Sequence, residues 1–467
     1  MIYLVIFAEI GAAWGWARTA AHHSTATAKT ALTVTLVPLL WGGVLSLIGF
    51  YGALMGLELH ATGSLVVYAV AMVPGWVLAA RVGALAPGGS PRRADLAPIL
   101  VLLAVSGAVI FNALYLPFYR DDALGIYVPF AVELAETGAL APITPTRNLY
   151  ELYPQLMSFL YAHVYQLAGW ANPYVARLVN ALLSLAVLPA TWALAQEALP
   201  DRPLAAPVAT ILVALTPDVG NWASSGYVDL PMAAYYVAGA VFAGAMIREQ
   251  RITDLVLAGL CFGLAAWTKN AALAAVGLFF IFVTVSLMNG QLRFNHLLIT
   301  LSCVAVAAAP WYLRNLVLAG TLTPDTVWTE DARQSLAEIF ILLSRPQNYA
   351  IPGWVMAAGV SWGLWRGRGL ILLYWSLPFY VTWLLFASYD PRFILLILPF
   401  WAVLGGLFLA DGWRAAHTRM PNRLVVPAVW VLMSVLTLSV MWDSVEYKRA
   451  ILNNPDMTHT EKLELVE

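Results

Sequence analysis

Residues 96–122 read LAPILVLLAVSGAVIFNALYLPFYRDD, an apolar run that ends in two adjacent aspartates. Residues 96–117 contain no Asp, Glu, Lys or Arg, and a helix of roughly 20 apolar residues crosses the hydrocarbon core of a bilayer. Arg120, Asp121 and Asp122 follow immediately, where such a helix would reach the membrane surface. The stretch therefore predicts a transmembrane helix with an acidic pair at its end.

The composition extends this prediction to the whole chain. The 467 residues are 61% hydrophobic and 11% charged, whereas a soluble domain is about 25% charged. A soluble fold of this length could not remove so much apolar surface from water, but membrane lipids can surround it. The formal net charge of -1 gives no reason to expect a nucleic-acid partner. The expected class is an all-α polytopic membrane protein.

Other apolar runs bring the expected number of transmembrane helices to about 14. The first run, from Met1 to about Ala17, has no basic residue before it, so it predicts a span rather than a cleaved signal peptide. The expected spans are 2–17, 31–57, 64–81, 96–117, 174–196, 204–222, 228–247, 253–268, 271–289, 297–318, 350–365, 370–388, 393–411 and 424–442.

The segment 153–169 is apolar but short, and it carries His163 and Gln166. If this segment does not span, the basic residues of the short loops all fall on one side, as is typical of cytoplasmic loops. If residues 153–169 did span, every later loop would change sides, and the basic residues would no longer all lie on one side of the membrane. We therefore predict an interfacial or re-entrant helix. The basic residues concerned are Arg18, Lys29, Arg81, Arg92, Arg93, Arg202, Arg248, Arg251, Arg293, Arg366, Arg368, Arg414, Arg419 and Arg423.

The resulting topology places one long loop, 118–173, on the outer face of a cell membrane. Within it, residues 122–138 have apolar positions at helical spacing, and Gly138 stands where a helix would end. This pattern predicts an amphipathic juxtamembrane helix that kinks or begins late at Pro129. The other expected outer segments are the turns at Asp229 and Lys269, the loop 319–349, the turn 388–392 and the tail 443–467. The expected domains are N-terminal transmembrane helices in 1–95, a catalytic module in 96–442 and the tail in 443–467.

Three aspartates at the outer face are candidate catalytic residues. Asp121 and Asp122 are adjacent and repel each other, so one of them could act as a general base. Asp229, in GYVDLPMAAYY, stands at the outer start of a later span, just before Pro231. Each has a structural alternative as an acidic residue at a helix N-terminus, where the helix dipole favours negative charge.

Three cations at the same face are candidate ligands of a lipid phosphate. They are Lys269 in AAWTKNAAL, Arg314 in PWYLRNLVLAG and Arg392 in YDPRFILLILP. Arginine suits bidentate binding of phosphate oxygens. The alternatives are an anchor at the membrane interface and, for Arg392, a local ion pair with Asp390. Carboxylates and cations on one face favour the transfer of a sugar from a lipid phosphate.

The remaining chemistry of the sequence is sparse. Cys261 and Cys303 stand inside apolar runs and predict small core side chains, not a disulfide framework or a metal site. Adjacent carboxylates can bind divalent cations. The outer loop has no Asp-X-Asp motif, however, so no metal is predicted, and no other cofactor is expected.

The order of these motifs resembles the GT-C superfamily of membrane glycosyltransferases. The resemblance is to the dolichyl-phosphate-mannose-protein mannosyltransferases and the bacterial aminoarabinose transferases, and it covers about residues 96–411. It implies a GT-C-like helical bundle with outer-face juxtamembrane helices, a polyprenyl-phosphate-linked sugar as donor, and a place in cell-envelope synthesis. The motifs are YRDDALGIYVPFAVELAETG, YPQL, ARLVNALLSLAVLPATWALA, GYVDLPMAAYY, LAGLCFGLAAWTKNAAL, PWYLRNLVLAG and YDPRFILLILP.

The resemblance also implies roles for the candidate residues. Asp121 or Asp122 would be the base, and Asp229 would be the second acidic residue of the cavity. Lys269, Arg314 and Arg392 would contact the donor phosphate. The chain departs from the family pattern because three spans precede the matching part, and because Arg120 stands where an aromatic residue usually precedes the acidic pair.

Three functions stay open on the sequence. The first is a glycosyltransferase that moves a hexosyl or pentosyl group from a polyprenyl-phosphate donor to a lipid, glycan or protein acceptor. The second is a transporter or flippase of a lipid-linked sugar, which would place ionisable groups near the bilayer midplane and often shows inverted repeats. Neither feature is visible. The third is a non-catalytic partner in glycan assembly, which would tolerate loss of the acidic residues.

Overall fold

The computed structural model describes residues 1–58, 60–82, 96–140, 151–324, 334–345, 347–386, 388, 390–417, 433–443 and 445–466. These residues form helices and short connections, and none of them belongs to a β-strand. The predicted all-α class is therefore confirmed. The helices are α1 (Ile2–His23), α2 (Lys29–Leu54), α3 (Ala61–Arg81), α4 (Leu96–Tyr115), α5 (Val128–Thr137), α6 (Leu156–Ala168), α7 (Pro173–Leu185), α8 (Val187–Ala198), α9 (Ala205–Ala214), α10 (Pro217–Ala223), α11 (Asp229–Glu249), α12 (Ile252–Thr268), α13 (Ala272–Met288), α14 (Phe294–Ala319), α15 (Leu336–Ser344), α16 (Ala350–Arg366), α17 (Leu370–Phe386), α18 (Leu398–His417), α19 (433–443), α20 (Lys448–Asn453) and α21 (His459–Val466).

Several helices have the length and composition of membrane spans, so the chain is a multi-pass membrane protein. Within the described residues six helical segments meet both criteria, and shorter apolar helices accompany them. The expected total of about 14 spans stays a prediction. The six segments are Lys29–Leu54, Ala61–Arg81, Pro98–Tyr115, Pro173–Ala198, Asp229–Glu249 and Phe294–Ala319.

The helices fall into two compact units, and each is described by itself. The first unit comprises Met1–Ala86, Phe118–Ala190 and Ser225–Val327. The second unit comprises Pro87–Pro117, Thr191–Ser224 and Trp328–Glu467. The predicted domain boundaries, 1–95, 96–442 and 443–467, stay predictions.

Helix α2 packs deep inside the first unit because glycines replace larger side chains along it. A Cβ atom at Gly43 would lie 2.8 Å from a terminal methyl group of Leu264 on α12, so the absence of a side chain at Gly43 makes room for Leu264. The hydroxyl of Tyr235 on α11 donates to the carbonyl of Leu39 at 2.7 Å. The Ser46 hydroxyl donates to the carbonyl of Leu156 at 2.9 Å. These contacts join α2, which precedes the family-like part of the sequence, to the helices of that part.

A buried polar cluster joins α6 to the N-terminal helices. The Nε2 atom of His163 lies 2.9 Å from a Glu9 carboxylate oxygen, and Trp41 donates its indole N–H to the same carboxylate at 3.1 Å. Helix α6 has 13 residues, most of them buried. A helix of this length rises about 20 Å, which is less than the hydrocarbon core of roughly 30 Å. The segment 153–169 therefore contains a short, packed helix, and its position at the membrane interface stays a prediction.

The predicted juxtamembrane helix 122–138 is helical throughout. A π-helical stretch, Ala123–Tyr127, leads into α5, and Pro129 stands in the first turn of α5. This change of hydrogen bonding falls where Pro129 predicts a kink. Gly138 ends the helix in the left-handed conformation with φ 67°, as predicted.

The second unit corrects one predicted span. Residues 204–222 form two short helices, α9 and α10, instead of one. The break comes at Thr216 and Pro217, because the proline lacks an N–H and turns the preceding residue away from helical geometry. The predicted span 424–442 lies partly outside the described residues, and its residues 433–442 are helical.

Candidate active site

The acidic pair begins the helical segment that continues into α5. Asp121 is exposed and Asp122 is half-buried. The backbone N–H of Asp122 donates to the phenolic oxygen of Tyr227 at 3.2 Å. Because Tyr227 stands two residues before Asp229, this bond links the two acidic segments that the sequence predicts to share a face.

A glycine allows these two segments to approach closely. Gly226 has φ 90°, and a Cβ atom there would lie 2.4 Å from the ring of Phe118. Glycine alone combines this left-handed conformation with this contact. Helix α7 fixes the same turn, since the amide of Asn180 donates to the carbonyl of Tyr227 at 2.9 Å and accepts from the N–H of Gly226 at 3.2 Å. The turn that precedes Asp229 is thus held on two sides.

Asp229 and Lys269 form a buried ion pair. The Lys269 ammonium lies 2.7 Å from a carboxylate oxygen of Asp229, and the two side chains are 12% and 1% exposed. Asp229 is the first residue of α11, and Lys269 follows the last residue of α12 in an extended conformation. Two residues that the sequence predicts to share the site are therefore bonded to each other. The predicted contact of Lys269 with a donor phosphate stays a prediction.

A buried cation, Arg177, lies near Tyr119, which stands two residues before the acidic pair. Its side chain is fully buried, and its guanidinium carbon lies 4.9 Å from the centre of the Tyr119 ring. The Arg120 guanidinium lies 5.2 Å from the same ring. No role is predicted for Arg177 from the sequence, although it interrupts the apolar motif ARLVNALL. An arginine within an apolar run indicates a charge that becomes buried in the folded protein.

Arg314 lies on α14 in the same unit. Its guanidinium stacks 4.9 Å from the Trp311 ring and donates to the Asn315 side chain at 3.3 Å. The buried carboxylate of Glu151 lies within electrostatic range of it. The Asn315 amide donates to the carbonyl of Leu152 at 2.9 Å, which fixes the chain beside Glu151. Glu151 was missed, since no motif marks an acidic residue that long-range packing alone buries.

Arg392 belongs to the second unit. Its guanidinium lies 3.0 Å from the Asp390 carboxylate and 5.3 Å from the centre of the Trp222 ring. The local ion pair that was the structural alternative for this residue is therefore present. A mostly apolar cavity of about 310 Å³ is lined by side chains that follow Arg392, including Ile394 and Leu398.

Metal ligands do not cluster in the described part of the chain. No group of three or more His, Cys, Asp or Glu side chains there has the geometry to hold an ion. The polar groups that do come together are carboxylates, cations and amides. They are suited to proton transfer and to binding an anion.

Comparisons with known proteins show the fold. No family model and no curated protein matches the sequence. The structure of ArnT from Cupriavidus metallidurans bound to undecaprenyl phosphate matches over 75% of this chain and 74% of that chain, with TM-score 0.52 and 17% identity. ArnT from the same organism in the apo state matches over 73% and 62%, with TM-score 0.51 and 19% identity.

A third similar structure is the Archaeoglobus fulgidus oligosaccharyltransferase in complex with Zn and sulfate. It matches over 79% of this chain and 56% of that chain, with TM-score 0.51 and 13% identity. ArnT, an aminoarabinose transferase, and this oligosaccharyltransferase are both GT-C glycosyltransferases. The chain therefore has the GT-C fold, as the resemblance of its motifs implied.

Proposed function

We propose that the protein is a glycosyltransferase that uses a polyprenyl-phosphate-linked sugar, with Asp121 or Asp122 as general base. One observation carries the proposal. The backbone N–H of Asp122 donates to the phenolic oxygen of Tyr227, and Tyr227 stands two residues before Asp229, which is ion-paired with Lys269. The chain has a fold similar to that of ArnT, whose structure contains undecaprenyl phosphate.

The proposed reaction needs one proton acceptor and one stabilised leaving group. The carboxylate of the acidic pair takes the proton from an acceptor hydroxyl or amine. The acceptor oxygen or nitrogen then bonds to the anomeric carbon of the donor sugar. The bond from that carbon to the phosphate oxygen breaks, and the phosphate leaves with the electron pair as polyprenyl phosphate. Cations stabilise the charge that grows on this phosphate.

Lys269 is suited to that stabilising role even though it is bonded to Asp229. Lys269 bonds to Asp229 at 2.7 Å. Asp229 would orient the ammonium, whose positive charge would stabilise the departing donor phosphate. Arg314 is the second proposed phosphate ligand in this unit, held in place by the face of Trp311.

Taken by itself, the second unit offers a proposed phosphate ligand in Arg392, and the apolar cavity lined by Ile394 and Leu398 would suit isoprenoid units. We propose that the catalytic loops face the outside of a cell membrane and that the short basic loops are cytoplasmic, because the basic residues are so distributed. The acceptor would be a lipid, glycan or protein.

The test is sugar transfer by the purified protein in lipid nanodiscs. Radiolabelled polyprenyl-phosphate hexoses and pentoses are offered with membrane lipid extracts as acceptors. Wild type is compared with Asp121→Asn, Asp122→Asn and the control Glu133→Gln, which neutralises a carboxylate farther along the same helical segment. We expect wild type and Glu133→Gln to transfer label, and loss of the base to lower the rate by about 100-fold or more.

The alternatives give different results with the same purified protein. A flippase would move labelled lipid between leaflets of proteoliposomes without forming a glycosylated product, and the aspartate substitutions would leave product formation at zero throughout. A non-catalytic partner would form no glycosylated product from the donor and the acceptor. Transfer that survives both single substitutions and the double substitution would remove the acidic pair from the mechanism.

A further inference from the structure

A cavity with polar side chains in its lining lies in the first unit, at the end of α5 that is remote from the acidic pair. It has a volume of about 390 Å³ and is formed by the start of α3, the last turns of α5 and α6, and residues 169–171. Sites for small molecules typically have volumes of about 300–1,000 Å³. The start of α3 is part of the N-terminal region that precedes residues 96–411, so this cavity includes residues outside the motifs that resemble the GT-C superfamily.

The lining side chains can bind hydroxyl groups. Glu136 and His60 are exposed, and Gln166 is fixed by the bond that its amide donates to the carbonyl of Ala135 at 3.2 Å. Carboxylates accept two hydroxyl protons, and amides and imidazoles both donate and accept. These groups surround one opening, so a ligand with several adjacent hydroxyls would satisfy them together.

Two aromatic residues complete the cavity. Trp170 is 50% exposed, and its indole offers a flat apolar face. Tyr165 is 2% exposed, and its hydroxyl has no hydrogen-bond partner among the described residues. Burial raises the pKa of this phenol above its ordinary value, so the group stays protonated. Tyr165 therefore closes the cavity as a buried side chain, and Trp170 supplies the exposed aromatic surface.

The charges in the cavity favour one class of ligand. None of the described residues that line it is Lys or Arg, and Glu136 would repel a phosphate. An exposed tryptophan together with carboxylate and amide groups fits a sugar ring, whose C–H face is apolar and whose edge carries hydroxyls. We propose that this cavity binds a saccharide unit that is neutral or carries an amine.

The position of the cavity indicates which saccharide this is. Asp122 and Glu136 stand near opposite ends of one helical segment, which places them roughly 20 Å apart at a rise of about 1.5 Å per residue. A ligand in the cavity is therefore remote from the base. In the proposed glycosyltransferase, on which this assignment rests, it is a distal sugar of the acceptor, bound where it adds binding energy without reacting.

The test is saturation-transfer NMR on the full chain in deuterated-lipid nanodiscs, with empty nanodiscs subtracted. The probes are glucose, mannose, galactose, glucosamine, N-acetylglucosamine, arabinose and maltotriose, with inorganic phosphate as the comparison ligand. The variants are Trp170→Ala and Glu136→Gln, both at exposed side chains. The matched control is Trp365→Ala, which removes another exposed tryptophan, one in the second unit.

We expect at least one saccharide to bind wild type and Trp365→Ala equally, and each cavity substitution to weaken that binding by about tenfold. Thermal unfolding of both cavity variants should match wild type. Absence of binding by every saccharide, or binding that both cavity variants retain, would overturn the proposal and leave Trp170 as a membrane-interface anchor. Because this experiment measures binding, its result does not depend on whether sugar transfer is detected.

The acceptor assignment has a separate readout. Once a transferring acceptor is known, Trp170→Ala should raise its KM by about tenfold and leave kcat unchanged. If saccharide binding is observed but Trp170→Ala leaves the KM for the acceptor unchanged, the acceptor assignment is overturned. The proposal that the cavity binds a saccharide then still holds. Failure of transfer in wild type would instead count against the proposed function.

Discussion

Asp229 and Asp254 stand in the first turns of two consecutive helices, α11 and α12, and both are buried. Their partners differ. Asp229 bonds to a cation, Lys269, at 2.7 Å. Asp254 accepts from the Ser24 hydroxyl at 2.5 Å and from the N–H and hydroxyl of Thr25 at 3.0 and 2.9 Å. Similar helical positions therefore hold a carboxylate in two chemically different ways.

The difference teaches that burial alone does not identify a functional carboxylate. Asp254 is satisfied by neutral donors that belong to the connection between α1 and α2, so its role is to fix that connection. Asp229 is held by a charge that can also bind an anion, and the turn before it contacts the acidic pair. Four predictions test this contrast, from the largest expected effect to the smallest.

Lys269→Ala should have the largest effect on stability. It leaves the Asp229 carboxylate buried without its cation, and breaking a buried pair costs about 3–5 kcal/mol. Denaturant unfolding in mixed micelles measures the change. The double variant Asp229→Asn/Lys269→Met removes both charges and should recover most of the loss, while sugar transfer stays low. An equal loss of stability in single and double variants would show that the pair is not coupled.

Asp254→Ala should also destabilise the protein, by about 3 kcal/mol, since it removes hydrogen bonds to an ionised group. Its rate of sugar transfer per folded molecule should equal that of wild type. Thr25→Val, which removes one of the donors, is the smaller matched change. A variant that folds normally but has lost transfer would contradict the structural role of Asp254.

Gly226→Ala should cost about 2 kcal/mol and reduce transfer, because the new Cβ would meet the Phe118 ring and strain the backbone. Gly56→Ala is the matched control, since Gly56 also has a positive φ, 72°, but no atom lies within 4 Å of the added Cβ. The control should lose about 1 kcal/mol and keep full transfer. Equal behaviour of the two variants would show that the contact with Phe118 is unimportant.

Arg392→Ala should have the smallest effect on folding, about 1 kcal/mol, because Asp390 is 22% exposed and keeps the hydrogen bond from the backbone N–H of residue 392. Its effect on donor affinity should be larger. Binding of a fluorescent polyprenyl phosphate to the purified variant measures the second effect. Asp390→Asn is the matched change, because it removes the same ion pair and keeps the guanidinium. Unchanged donor affinity in Arg392→Ala would leave the pair with Asp390 as the whole role of this arginine.

Much of the fold follows from local features of the sequence. Apolar length predicts the helices, Gly138 marks the end of α5, and Pro129 marks the change from π- to α-helical bonding. The wrong span, 204–222, shows the limit of hydropathy. Thr216 and Pro217 carried the signal for a break, but the apolar composition on both sides masked it.

The site is predictable only in part, because its bonds join distant residues. Asp229 and Lys269 stood out since charges are rare near spans, but nothing local indicates that they bond to each other. Glu151 and Arg177 acquire their surroundings entirely from tertiary packing. The saccharide cavity likewise unites α3, α5 and α6, whose sequences do not indicate that they meet.

The central claim is that the acidic pair, and not simply a buried carboxylate, drives sugar transfer. The most direct measurement is the initial rate of transfer by Asp121→Asn/Asp122→Asn beside Asp254→Asn, each normalised to the amount of folded protein. We expect a loss of at least about 100-fold in the first variant and a change within about twofold in the second. Transfer retained by the first variant, or lost only by the second, would contradict the central claim.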